Sequence, residues 1–116
     1  GVVVGNYRCS LSGQDLNRTW GCPSRKHHPP VYFAKAMMRK VLEEREVLLY
    51  IDLHGHSRKK NVFMYGNCGK ELRERVFPAL LSKSCSAFSL ADCCFKVQKS
   101  KESTARVVAQ RELGVQ

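Results

Sequence analysis

Residues 47–57 read Val47-Leu48-Leu49-Tyr50-Ile51-Asp52-Leu53-His54-Gly55-His56-Ser57, and the fold turns on this stretch. Its first part is apolar almost without a break, the pattern of a strand buried on both faces in a parallel or mixed sheet. It stops abruptly in His-Gly-His-Ser, which is turn material. Ligands in open α/β sheets collect beyond the carboxyl ends of strands, so His54 stands where chemistry is expected. An imidazole there serves as metal ligand, general base or ordinary loop residue. Asp52 is two residues earlier on the same side of the strand, placed either to orient a site group by hydrogen bonding or to play a structural part.

On the upstream side, Ala34, Met37, Met38, Val41 and Leu42 recur at helical intervals, with Lys35, Arg39, Lys40, Glu43 and Glu44 opposite them. That spacing predicts an amphipathic helix from Val31 to near Glu46, its methionines packed in the core. Downstream, Asn61–Tyr65 reads as a second strand closed by Gly66-Asn67. Leu72, Val76, Leu80 and Leu81 suggest a helix kinked or broken at Pro78. Phe95–Val97 is a short strand, and Ser103–Leu113 a third helix with Ser103 as a cap and Gly114 as the stop. Before all of these, Val2–Val4 reads as a short strand, and residues 5–30, without an apolar period, as one long loop, a length that in compact domains usually carries function or disorder. The expected architecture is α/β: part of a mixed, mostly parallel sheet sandwiched by helices, an incomplete single domain over residues 1–116.

The 116 residues, 43% hydrophobic, suffice for one core. No stretch reaches the ~20 apolar residues of a membrane span, and the start lacks the pattern of a signal peptide. None of the six cysteines forms a Cys-x-x-Cys pair, so they read as reduced thiols of a cytosolic protein, with adjacent Cys93 and Cys94 facing opposite ways. Twenty Lys and Arg against ten Asp and Glu give a formal charge of +10. This points to an acidic partner, whether nucleic acid, anionic lipid or acidic peptide. On the long loop, Asn17-Arg18 pairs an amide donor with a planar guanidinium fork, a combination suited to a carboxylate, though such residues also simply face water.

Taken together, Val4–Leu11, Asp15-Leu16-Asn17-Arg18, Asp52–Ser57 and Asn61–Gly66 resemble, in order and spacing, the cytosolic carboxypeptidase subfamily of zinc metallocarboxypeptidases. The likeness continues through Phe95–Glu102 to Arg111–Gly114 and spares only residues 21–30 and the neighbourhood of Pro78. It implies a zinc carboxypeptidase-like catalytic domain in the cytoplasm, cutting glutamate from acidic protein C-termini or polyglutamate side chains, tubulin's among them. By this resemblance His54 matches the third zinc ligand, Asn17 and Arg18 the pair that grips the substrate's terminal carboxylate, and Arg8 the arginine that stabilises the oxyanion. Arg106 is the candidate for the basic residue that selects C-terminal glutamate, or else a solvent-facing helix arginine. His56 and the run Arg58-Lys59-Lys60 have no catalytic counterpart; a solvated loop that helps hold an acidic tail accounts for them.

The family's other two zinc ligands come from His-x-x-Glu, which this sequence lacks: His27, His28, His54 and His56 are followed at that offset by Pro30, Val31, Ser57 and Lys59. That motif is expected upstream, and the general-base Glu a few residues beyond 114–116. Since a catalytic zinc takes about three protein ligands, one histidine implies neither tight zinc binding nor hydrolysis by this chain alone. Two other classes stay open, a catalytically inactive carboxypeptidase-like binding module and a basic nucleic-acid binder. Against the latter, Glu43, Glu44, Glu46, Glu71 and Glu74 alternate with the basic residues as on ordinary solvated faces.

Overall fold

The computed structural model describes residues 3–69 and 72–115. Val2 of the expected first strand, Glu71 and Gln116 lie outside them; Val3–Gly5 form a turn rather than a strand end. Among the described residues the regular elements are helices: α1 (Pro29–Glu44), α2 (Val76–Ser84) and α3 (Ala105–Leu113), with 3-10 turns at Leu16–Arg18, Arg73–Arg75 and Lys99–Lys101.

Helix α1 begins on Pro29-Pro30, where the missing amide hydrogens would have had no helical acceptor. The face it buries is not the expected one. Val31 and Lys35 are buried, whereas Met37 is 61% exposed and Val41 38%. Pro78 does not kink α2; it occupies the first turn, where an absent N–H costs no hydrogen bond. Gly114 ends α3 at φ 68° as expected, its N–H returning to the last turn. The cap is Thr104 rather than Ser103, and its hydroxyl turns back to the Lys101 carbonyl at 2.7 Å.

α3 is the centre of the core. Ala105, Val107, Val108 and Ala109 are all buried, joined by Val31 of α1, Phe88 and Val115. Lys35 reaches into this junction, its Nζ 2.6 Å from Glu112 of α3 and donating to the carbonyls of Trp20 (2.7 Å) and Gly21 (3.1 Å). Three acceptors match the three hydrogens of an ammonium, which is what permits its burial.

The expected sheet is absent among the described residues. Residues 46–56 have no regular structure, and Leu48 and Leu53 are 77% and 91% exposed. A strand of that composition needs a hydrogen-bonded neighbour on each edge and cover on both faces, and the described residues supply neither. Parallel pairing does occur between 62–66 and 87–94, as bridges Val62–Phe88 and Tyr65–Cys94 with Cys94 N–H donating to Met64 O and Gly66 N–H to Cys94 O, both at 3.0 Å. It stops short of a ladder. Phe95–Val97 form no strand, and Cys93 and Cys94 are both half-buried rather than split between core and solvent. All six cysteines are free thiols.

Candidate active site

The loop that carries three of the candidate residues is folded tightly on itself. Gly13 at φ 74° turns the chain, and an antiparallel bridge pairs Cys9 with Asp15, supported by Ser10 N–H on Gln14 O at 2.9 Å. Arg8 is thereby carried back beside Asp15. Tyr7 accepts a left-handed backbone, φ 57°, an arrangement that costs a bulky residue some strain and is concentrated at functional positions.

Asp15 organises both the turn and the two arginines. Its Oδ1 accepts from Asn17 N–H at 3.0 Å and so caps the 3-10 turn Leu16–Arg18. Its Oδ2 lies 3.4 Å from Arg8 Nη1 and 3.9 Å from Arg18 Nη1. One carboxylate therefore holds both guanidinium groups, while Arg18 also donates to its neighbour's carbonyl, Asn17 O, at 2.9 Å. Beside Arg18 opens a cleft of about 520 Å³ that also touches Asp15, Thr19, His28 and Ser103. His28 rests against Gln14 and accepts from Ser24 N–H at 3.0 Å.

Asn17 connects this loop to the rest. Its Oδ1 accepts from the backbone N–H of Ala105, at the start of α3, at 2.8 Å. A backbone amide can only donate, so the carbonyl end of Asn17 must face α3 and the NH₂ end must face outward. That end meets His54 Nε2 at 3.0 Å. Since an amide NH₂ donates, Nε2 accepts, the ring proton sits on Nδ1, and Nδ1 donates to Asp52 Oδ1 at 2.9 Å. Asp52 thus orients His54, as its position two residues upstream suggested. Burial and the charge of Asp52 push the nearby Tyr50 hydroxyl up to about 12.

Asn17 and His54, 37 positions apart in sequence, are therefore in direct contact, with Arg18 adjoining and Arg8 linked through Asp15. Arg106 is next in the chain to the Ala105 that holds Asn17, but it does not face solvent freely: its Nη1 bonds Gly66 O and, at 2.8 Å, Asn67 Oδ1. Burial lowers its pKa. Arg58 and His56 lie outside this constellation; His56 Nδ1 accepts from the amides of Arg58 (3.2 Å) and Lys59 (2.9 Å), shaping the basic loop. Reading the sequence alone assigns Asp15 no role and passes over Asn67 and the Lys35 junction. For Asp15 a signal existed, an acidic residue directly before a short turn.

His54 offers a metal only Nε2, the atom that here accepts from Asn17, so ligation would require that bond to open while Asp52 keeps its hold on Nδ1. Among the described residues no third His, Cys, Asp or Glu joins Asp52 and His54 in a group that could hold a metal ion. No helix among them is long and apolar enough to cross a membrane.

No protein-family model matches the chain. Curated proteins do. It is 51% identical over 115 residues to cytosolic carboxypeptidase 3 of Bos taurus, covering 93% of this chain and 12% of that protein. To cytosolic carboxypeptidase 2 of Mus musculus it is 54% identical over 116 residues, covering 96% and 14%. To cytosolic carboxypeptidase 1 of Gallus gallus the identity is 50% over 134 aligned positions, covering 100% and 11%. The chain spans about an eighth of the length of the first of these relatives. With half its residues identical to three members along nearly its whole length, the chain belongs to the cytosolic carboxypeptidase family, as a segment of it.

Proposed function

We propose that the full-length protein is a zinc-dependent, cytoplasmic metallocarboxypeptidase that removes C-terminal residues, glutamate above all, from acidic protein tails such as those of tubulin. The observation that carries this is the Asn17–His54 contact, which puts a carboxylate clamp against a carboxylate-oriented imidazole. Arg18 and the Asn17 amide bind the terminal carboxylate, a group that only a chain end offers, and this makes the enzyme an exopeptidase. Arg8, held by Asp15, meets the oxyanion that develops on the scissile carbonyl. His54 would be one metal ligand through Nε2, exchanging its bond from Asn17 for the metal, with Asp52 keeping the tautomer. When bound, zinc supplies Lewis acidity and a water with its pKa lowered to about 7. The other two ligands and the general base belong to residues outside 1–116. Neighbouring strands from the same source would flank 47–53 and complete the mostly parallel sheet.

Mass spectrometry of glutamate-ended peptides incubated with the zinc-loaded full-length protein tests this. Stepwise loss of terminal glutamate is expected, abolished in His54→Ala together with most bound zinc. Internal cleavage, or unchanged zinc content and turnover in His54→Ala, would overturn it.

A further inference from the structure

Asn67 is a polar residue buried in the fold, 8% exposed, and both ends of its side chain engage the same arginine. Its Oδ1 accepts from Arg106 Nη1 at 2.8 Å and its Nδ2 donates to the Arg106 backbone carbonyl at 3.1 Å. A carbonyl can only accept, so the amide has one consistent orientation, carbonyl towards the guanidinium. Gly66 O accepts from the same Nη1. Gly66 also packs tightly against the Phe95 ring, which a Cβ would meet at 2.5 Å. Side chain and main chain of Arg106 are both tied to residues 66 and 67, so the guanidinium is fixed relative to the first turn of α3.

All these partners are neutral. Arg8, Arg18, Lys35, Lys40 and Lys59 each have a carboxylate within ion-pair distance. Among the described residues Arg106 has none, and its bonds use only Nη1. A half-buried guanidinium without a counter-charge, with Nε and Nη2 still able to donate, is arranged to receive an anion. It also sits one residue from Ala105, whose amide holds the clamp residue Asn17 at 2.8 Å.

We propose that Asn67 is a positioning residue for substrate selection: it holds Arg106 charged and unneutralised, aimed so that its free donors take the side-chain carboxylate of the terminal residue. This rests on Arg106 being the selecting residue of the carboxypeptidase proposed above. A neutral amide is the required partner; a carboxylate of the same shape would neutralise the receptor.

Steady-state kinetics of the full-length enzyme on paired peptides ending in Glu or Gln test this, with Arg106→Ala, Asn67→Asp and Asn67→Ala. The readout is the Glu-to-Gln ratio of kcat/KM. Wild type should favour Glu, and Arg106→Ala should bring the ratio near one. Asn67→Asp should cut the ratio on the order of tenfold, chiefly through KM for the Glu peptide, and Asn67→Ala should do so less. No preference in wild type, or one retained in Arg106→Ala, removes the Arg106 assignment and this inference with it. A ratio lost in Arg106→Ala but kept in both folded Asn67 variants removes this inference alone. So does failure of both Asn67 variants to fold, judged by thermal unfolding, since Asn67 would then serve the core.

Discussion

Asp15 uses each carboxylate oxygen for a different task, Oδ1 to cap the turn that presents Asn17 and Arg18 and Oδ2 to align Arg8 with Arg18. Asp15→Asn keeps the cap and removes the charge. It should therefore leave the fold intact and lower kcat/KM of the proposed carboxypeptidase by roughly tenfold, since hydrogen bonds to charged groups contribute about 1.5–3 kcal/mol. Arg18→Ala removes the proposed clamp and should lower kcat/KM on free-acid peptides about 10- to 100-fold. An unchanged rate would take Arg18 out of the clamp. At this scale the resemblance singled out Arg8, Asn17, Arg18 and His54, and the structure brings the four side chains into one linked group; their roles remain those proposed above. Asn67 was not legible, because its partner lies 39 positions away and nothing local marks the pairing.

Helix α1 shows how an element misleads. Lys35 falls on the polar side of the helical pattern, yet it is 3% exposed because Glu112, Trp20 O and Gly21 O all come from elsewhere in the chain. Periodicity sees only α1's own residues, so it assigned the buried face to the methionines. Lys35→Met would leave two carbonyls and part of Glu112 without donors, and should destabilise the protein by about 2–4 kcal/mol in chemical denaturation. The partner titrates accordingly. The hydrogen bond from Lys35 holds the Glu112 carboxyl below its ordinary value, with smaller help from Arg111. A carboxyl depressed on folding contributes stability above its unfolded pKa and loses it as pH falls through the folded one. Glu112→Gln should thus flatten the decline in stability below about pH 4.5, with little change in its pH dependence nearer neutrality. A decline as steep as wild type's would show the pair to be uncoupled from folding. α2 and α3 were better anticipated, since Pro78 and Gly114 act through local backbone geometry, even though Pro78 opens its helix rather than kinking it.

At the scale of the whole molecule, the exposed run around Leu48, Ile51 and Leu53 is the chief departure from the expected architecture. Family membership was legible because motifs survive in any piece long enough to contain them; a sheet is not, because its hydrogen bonds join segments from across a protein. Among the described residues, the parallel bridges at Val62–Phe88 and Tyr65–Cys94 are the part of it that forms. In the full-length protein, amide hydrogen exchange over 47–53 should be slow, and in the 116-residue chain fast; fast exchange in both would contradict the completed sheet. The assembled site is tested most directly by supplying the zinc-loaded full-length protein with two peptides of one sequence, one ending in a free carboxylate and the other in an amide. The proposed Asn17–Arg18 clamp requires release of the terminal residue from the acid and almost none from the amide. Equal turnover of both would mean that these residues do not grip a chain end and that the site is not a carboxypeptidase's.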